Sequence, residues 1–188
     1  MELIFDGPRP AGTKCPEAGG MKRTKVRKGG EIQKMINLHS KMKAALEEID
    51  FVKRYEQVSN TFNKEKTPLR ERLRYLDGEF VLGSLTQLGY NAHFESKEKY
   101  FWIEEVKIGT YTFSSNIILY GGMVDIVWIV KEGGNLILGL PIGEYSRLMI
   151  APNYKIAKPI FGSYEDLDEI FFLIFKLFED FKKAMVAS

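Results

Sequence analysis

The chain has 188 residues, of which 45% are hydrophobic and 13% aromatic, and its formal net charge of +2 excludes a strongly charged, largely disordered chain. Its single cysteine, Cys15, excludes an internal disulfide and a cysteine-based zinc cluster. No apolar stretch is long enough for a membrane span and residues 1–20 lack the apolar core of a signal peptide, so we expect a cytoplasmic protein.

Residues 1–30 are predicted to form an irregular basic arm. Glu2–Phe5 can form a short strand, which the following glycine and prolines end. Within residues 22–28, five of seven residues are basic, a composition found in nucleic-acid-binding arms. The run has no aromatic residues that could stack on bases, so we interpret it as a solvated linker and keep a nucleic-acid-binding adaptor as an alternative. Met21 is a second possible start of the protein.

Residues 31–89 carry a helical pattern. The first predicted helix runs from Glu31 to about Ser59, and His39 lies on its apolar stripe as a packed residue. The stripe consists of Ile32, Met35, Ile36, Met42, Leu46, Ile49 and Val52. A second helical segment is predicted to begin at Thr67-Pro68, with a capping hydroxyl before a proline, to be broken or kinked near Asp77-Gly78, and to end at Gly89. Its stripe consists of Leu69, Leu73, Leu76, Phe80, Leu85 and Leu88.

Residues 90–150 change to the alternating pattern of β-strands, separated by glycine turns. Short turns between successive strands imply antiparallel pairing, because parallel pairing needs a long crossover. Pro141 is expected at the end of a strand or at the sheet edge. We predict a meander of about five strands from the segments Tyr100–Val106, Thr110–Phe113, Ile117–Tyr120, Met123–Lys131, Leu136–Leu140 and Tyr145–Ile150.

Residues 163–186 are predicted to form an amphipathic helix that covers one sheet face. Ser163 caps its start, acidic residues follow in the first turns, and Lys182 and Lys183 lie near its end, where the helix dipole favours positive charge. The sequence therefore predicts an α+β fold, with a single domain over residues 31–188.

The sequence contains no recognisable catalytic motif, cofactor signature or metal-binding motif. Glycine-rich phosphate-binding loops are absent, and His93-Phe94-Glu95 lacks the cysteine pair that a zinc deaminase requires. An alternative is a metal-dependent nuclease that uses Asp125 with Glu105 and Lys107, two residues that share one face of a strand. We prefer a structural role for Asp125, with Arg147 as a possible counter-charge.

The second half of the chain is similar in style to immunity proteins of bacterial polymorphic and contact-dependent toxin systems. The similarity is carried by the segment Asp125–Asn135, a proline-bearing loop, and Ser163–Ile170 with the aromatic helix that follows. It implies a non-enzymatic inhibitor that binds a cognate toxin protein and occludes its active site. The candidate partner-binding residues are Glu98, Tyr100, Trp102, Glu104, Glu144, Tyr145, Arg147 and Tyr154.

Overall fold

The structure, a computed structural model, describes the backbone of residues 2–4 and then residues 38–187. The predictions for Phe5, Cys15, Met21, the basic run 22–28 and the helix start at Glu31 lie outside these residues. Glu2–Ile4 is extended, as predicted, and forms strand β1.

The chain folds into one layer of helices against one antiparallel sheet. Two short strands, β1 and β2, pair with each other, while β3 to β7 form a five-stranded meander in chain order. The strands are β1 (Glu2–Ile4), β2 (Tyr75–Asp77), β3 (Ala92–Glu95), β4 (Tyr100–Ile108), β5 (Tyr111–Tyr120), β6 (Met123–Glu132) and β7 (Asn135–Pro141). The helices are α1 (Ser40–Glu48), α2 (Phe51–Thr61), α3 (Gly78–Gln87), α4 (Tyr145–Met149) and α5 (Tyr164–Ala187), with a 3-10 turn at Ile142–Glu144.

The core lies between the helices and the face of the five-stranded sheet that we call the inner face. Trp128 of β6 is fully buried there, 5.5 Å from the ring of Phe51 in α2 and 5.2 Å from the ring of Phe181 in α5. Phe113 of β5 also contacts the rings of α5. Each such aromatic side chain contributes roughly 1.5–3 kcal/mol by burial, which explains why α5 covers the sheet.

The predicted C-terminal helix and the antiparallel meander are both confirmed. Ser163 Oγ accepts a hydrogen bond from the backbone N–H of Asp166, which is the predicted cap of α5. Pro141 ends β7, an edge strand, where its missing N–H leaves no gap in the interior of the sheet. The helix continues to Ala187, and Lys182 is buried against the rings of Tyr90 and Phe178 rather than placed at its end, which corrects its expected role beside the dipole.

The helix predicted from Glu31 to Ser59 is wrong as a continuous element. Asp50 adopts a left-handed conformation, with φ +51°, and separates α1 from α2. Ile49 and Phe51 are both buried, although residues two apart cannot share a face of one helix, so the break allows both to enter the core. His39 is exposed just before α1, which corrects its expected position on a packed stripe.

The helix predicted to begin at Thr67 is wrong as far as Asp77, whereas the part that follows is helical as α3 and ends just before the left-handed Gly89. Asn63 Oδ1 accepts the N–H groups of Glu65 and Lys66, and such side-chain bonds stabilise turns instead of a helix. Leu69 is 63% exposed, so it is not part of a packed stripe. After these turns β2 pairs with β1, and α3 begins only at Gly78, with Asp77 as its cap.

Two strand assignments need correction. The predicted segments Thr110–Phe113 and Ile117–Tyr120 belong to one strand, β5, because the polar residues between them fit into the sheet without interrupting it. Ser115 is fully buried and its hydroxyl donates to the carbonyl of Val127. The strand predicted over Tyr145–Ile150 is a short helix, where the hydroxyl of Ser146 donates to the carbonyl of Gly143.

Candidate functional site

The second face of the five-stranded sheet, which we call the outer face, is not covered by any helix of the described residues. The helices contact the inner face through the rings of Trp128, Phe113 and Tyr111. Strand alternation places Tyr100 and Trp102 on the opposite side from the buried Phe101 and Ile103. Both are half-buried, whereas most other large aromatic side chains of the described residues lie in the core. The outer face is therefore the first candidate for binding.

Trp102 has an ordered cross-strand neighbour. His93 of β3 is its direct partner in the antiparallel register, and the two rings stack with centroids 4.4 Å apart and planes 30° apart. Aromatic cross-strand pairs of this kind stabilise a sheet and fix side-chain orientation. The spacing His93-Phe94-Glu95 alone gives His93 no role; the turn at residues 96–99, which pairs β3 with β4, is the signal that could have placed it beside Trp102.

Glu104 is held on the other side of His93. Its Oε1 lies 2.8 Å from Nε2 of His93, and Asn91 Nδ2 donates to its Oε2 at 3.3 Å. The hydrogen bond with His93, followed by the one from Asn91, lowers the pKa of the Glu104 carboxyl below its usual 4.5. Glu104 is thus an anion with two fixed partners at the edge of the sheet.

A β-bulge lies between Ile103 and Val106, where the register of β4 against β5 shifts. The extra residue in the bulged strand lets Glu104 and Glu105 reach neighbouring groups on the same face, instead of pointing to opposite faces as in regular alternation. Glu105 forms an ion pair with Lys131 of β6. The outer face therefore carries paired charges beside its aromatic residues.

Tyr100 lies among carboxylates. Glu95 is its direct partner on β3, and Glu98 lies in the exposed turn between the two strands. Burial raises the pKa of the Tyr100 hydroxyl, and the charges of Glu95 and Glu98 raise it further. Neither carboxylate belongs to an ion pair within the described part of the chain.

Asp125 is buried on β6, 3% exposed, and its Oδ2 lies 2.8 Å from Nζ of Lys158. Lys158 also donates to the hydroxyl of Tyr120 at 2.7 Å. Burial alone would lower the pKa of the Lys158 ammonium, but the bonds to Asp125 and Tyr120 outweigh it and raise the pKa. Arg147, the expected counter-charge, binds Glu144 and the carbonyl of Pro152 instead, so that prediction is wrong.

The second predicted cluster lies away from the outer face. Tyr145 is fully buried, and its hydroxyl donates to the carbonyl of Leu140 at 3.1 Å, so its expected role in partner binding is wrong. Glu144 and Arg147 form an ion pair with each other, 2.7 Å apart. Tyr154 is half-buried and donates to Glu56 of α2. Of the eight predicted binding residues, Glu98, Tyr100, Trp102 and Glu104 follow one another along β4 and the turn before it, at the β3–β4 side of the sheet.

The three residues of the nuclease alternative are not brought together. Glu105 binds Lys131, six positions from Asp125 along β6, which corresponds to about 20 Å at ~3.4 Å per residue. Asp125 pairs with Lys158, and Lys107 lies opposite Thr112 near the other end of the strands. Within residues 38–187, no three histidine, cysteine, aspartate or glutamate side chains are arranged to hold a metal ion.

None of the helices within the described residues combines the length and the apolar character that crossing a membrane requires. Comparisons of the chain with protein-family models, with curated proteins and with solved structures found no match.

Proposed function

We propose that this protein is a non-enzymatic binding protein of the immunity type, which neutralises a cognate bacterial toxin in the cytoplasm by covering its active site. The observation that carries this proposal is the outer face, where half-buried Tyr100 and Trp102 lie on a rigid sheet with no helix of the described residues above them. Aromatic side chains held on a fixed scaffold are the usual anchors of protein interfaces, because they bury a large area at low entropic cost.

The arrangement of polar groups supports the same function. The ring of His93 stacks on Trp102 and is itself bonded to Glu104, so Trp102 loses little side-chain freedom on binding. Glu98, near Tyr100, and Glu104, bonded to His93, would form the polar rim of the interface and select the partner by charge. This ordered patch provides affinity and specificity without a reacting group.

The experiment is a pull-down with the tagged full chain from its native host, or from cells that co-express the neighbouring open reading frames, followed by mass spectrometry. The expected result is one protein in a one-to-one complex, whose toxicity the chain suppresses. Recovery of nucleic acid alone would contradict the proposal and favour the nucleic-acid-binding alternative. Recovery of no partner would also contradict it, and assays of the chain for nuclease activity with Mg²⁺ would follow.

Two variants test whether the outer face is the binding surface. Trp102→Ala removes the central aromatic ring and is expected to weaken the complex by at least tenfold, because a central interface tryptophan commonly contributes more than about 2 kcal/mol. Tyr154→Ala is the matched control, since Tyr154 is also half-buried but lies beside α2. Equal losses for the two variants, with both proteins folded by circular dichroism, would place the interface elsewhere.

A further inference from the structure

A groove lies on the helical side of the molecule, where α1, α2 and α4 meet. Its volume is about 380 Å³, and it is open to solvent rather than enclosed. The left-handed conformation of Asp50 separates α1 from α2, and the end of α4 lies against this break. Because α2 and α4 contact the inner face of the sheet, the groove and the outer face are on opposite sides of the sheet. The groove is therefore a second surface, separate from the one proposed above to bind the toxin.

The floor of the groove is apolar. Leu46 of α1 is fully buried, while Val52 of α2 and Met149 of α4 are half-buried. Ile150 directly follows α4 and is 53% exposed, so most of its apolar surface has no contact in the described residues. Apolar surface in a concave position marks binding sites more often than single exposed apolar residues do. The floor thus offers surface that a partner gains by burying.

The rim of the groove is acidic. Among the residues that line it, Glu47, Asp50 and Glu56 are acidic and Lys53 is basic. Asp50 is exposed and forms no ion pair within the described residues. Glu47 lies 3.7 Å from Lys43, an exposed pair that contributes little. The rim therefore carries an excess of negative charge.

Two further contacts keep this charge in place. The hydroxyl of Tyr154 donates to Oε1 of Glu56 at 2.8 Å, which orients the carboxylate at the rim. Arg54 follows Lys53 in α2 but does not line the groove. Its guanidinium donates to Asp180 at 2.8 Å and to the carbonyl of Ile49 instead. The neighbouring arginine is thus engaged elsewhere and does not neutralise the rim.

We propose that this groove receives a basic amphipathic segment of a protein partner, with its apolar side chains on the floor and its lysine or arginine side chains against the acidic rim. An amphipathic helix that places its apolar face in a groove is a recurring mode of peptide recognition. The acidic rim repels phosphate groups, which argues against a nucleic acid or an anionic lipid. A small molecule would stay largely exposed here, whereas ligand pockets bury about 70–90% of their ligand.

The test uses a defined peptide and the full chain labelled with ¹³C in its methionine methyl groups. The peptide is an amphipathic helix of about 14 residues, with leucine on one face and lysine on the other. The methyl signal of Met149 is expected to shift, with a dissociation constant of roughly 10–100 μM. Met123 is also half-buried but begins β6, so its signal is the internal control and should not move.

A second peptide, with glutamate in place of every lysine, is expected to give no shift of Met149 because the acidic rim repels it. Equal shifts with the two peptides would overturn the inference, and so would no shift with the lysine peptide. A shift of Met123 as large as that of Met149 would show non-specific binding and would also overturn it.

The acidic rim is tested by Glu47→Gln/Asp50→Asn, which is expected to weaken binding of the lysine peptide about fivefold, because exposed ion pairs are individually weak. Asparagine tolerates the left-handed conformation of Asp50, so the break between the helices is retained. The control Glu48→Gln/Glu65→Gln makes the same change in net charge at two exposed residues that do not line the groove. Equal losses would mean that net charge acts at long range, and the role of the rim would be wrong.

The apolar floor is tested by Ile150→Ser, which is expected to weaken binding of the lysine peptide about tenfold through the loss of apolar contact. Leu136→Ser is the matched control, since Leu136 is 44% exposed but lies on β7, outside the groove. Equal losses for the two variants would place the peptide elsewhere and overturn the inference.

Two other occupants are outcomes of the same experiments. If the chain's own basic run, residues 22–28, competed for the groove, replacing its five basic residues with glutamine would tighten binding of the peptide. If a second copy filled the groove, light scattering would show a dimer that Ile150→Ser converts to a monomer. Either result would overturn the assignment of the groove to a protein partner.

The inference goes beyond the proposed function, and the two proposals can fail separately. If a toxin is captured through the outer face and Met149 does not respond to the lysine peptide, the immunity function stands and the groove assignment is wrong. If the peptide shifts Met149 with the expected dependence on the rim and floor but no toxin is captured, the groove stands and the proposed function is wrong.

Discussion

Asp125 and Lys158 form an ion pair that joins strand β6 to the segment preceding α5, with Oδ2 and Nζ 2.8 Å apart. The Asp125 side chain is 4% exposed and that of Lys158 is 34% exposed. A carboxylate so deep in the sheet needs partners, because desolvation of an unpaired charge is costly. Lys158 therefore offsets the desolvation of the Asp125 carboxylate in an otherwise apolar strand.

Lys158→Met is expected to lower the free energy of unfolding by about 1–3 kcal/mol, since it removes a charged hydrogen bond from a buried acceptor. Asp125 has further contacts, which keeps the expected loss below that of a fully orphaned buried charge. The measurement is urea unfolding followed by tryptophan fluorescence. In the double variant Asp125→Asn/Lys158→Met the losses should be less than additive; strictly additive losses would show that the pair is not coupled.

The same pair predicts that the free energy of unfolding depends on pH in the alkaline range. The bonds of Lys158 to Asp125 and Tyr120 outweigh the effect of burial and raise the folded-state pKa of Lys158 above the ordinary lysine value of 10.5. A raised pKa means that the stabilisation is complete below pH 10.5 and is lost as the pH rises through the folded-state value. The difference in unfolding free energy between wild type and Lys158→Met should thus be constant from pH 7 to pH 9 and shrink at higher pH.

Comparing wild type with Lys158→Met cancels the effect of other groups that titrate at alkaline pH, such as the buried tyrosines, because both proteins contain them. Tyr120→Phe is the control, because it retains the ring near Nζ and removes only one of the two oxygen acceptors. Its effect should be smaller than that of Lys158→Met. A difference between wild type and Lys158→Met that stays unchanged to pH 11 would contradict the raised pKa.

The sequence predicts the elements whose signals are local. The cap, acidic first turns and apolar stripe of α5 act within one helix, and the glycine pairs at 121–122 and 133–134 each fix a turn by their own backbone freedom. Strand order then follows, because short turns leave only neighbouring antiparallel partners. The α+β class and the C-terminal helix are confirmed for this reason.

The sequence fails where a distant segment decides the conformation. Tyr75–Asp77 has a helical apolar spacing but is extended, because Glu2–Ile4 supplies a pairing strand from the other end of the chain. Tyr145 resembles an exposed loop aromatic, yet the rings of Phe51 and Trp128 bury it. For the candidate site, alternation places Tyr100, Trp102 and Glu104 together, but only the register of β3 adds His93 and Glu95.

His93→Ala is expected to raise the pKa of Glu104 toward its ordinary value of 4.5. The bond with His93 is the larger cause of the lowered pKa, and the bond from Asn91 is the smaller, so Asn91→Ala should produce a smaller rise. Carboxyl-carbon NMR during an acid titration measures both. A larger effect from Asn91→Ala would contradict this order. Because the folded-state pKa is lowered, any contribution of this contact to stability is present above pH 4.5 and is lost as the pH falls.

The turn between β5 and β6 gives a matched pair of glycine substitutions. Gly121 and Gly122 have φ values of +54° and +71°, a region where an alanine costs about 1–2 kcal/mol in either position. At Gly121, an added Cβ would meet only Met123 Cε, at 3.9 Å. At Gly122, it would lie 2.6 Å from Cβ of Arg72 and 3.1 Å from the carbonyl oxygen of Phe161.

Gly122→Ala is therefore expected to lower the free energy of unfolding by more than Gly121→Ala does. The excess reflects displacement of Arg72 and of the 159–161 segment, whose Phe161 N–H donates to the carbonyl of Gly122 at 2.8 Å. That segment is continuous with Lys158, so Gly122→Ala should also weaken the Asp125–Lys158 pair, whereas Gly121→Ala should leave it intact. Combining each substitution with Lys158→Met tests this: the losses should be additive for Gly121→Ala and less than additive for Gly122→Ala. Equal losses for the two alanines would mean that the close packing at Gly122 relaxes without cost.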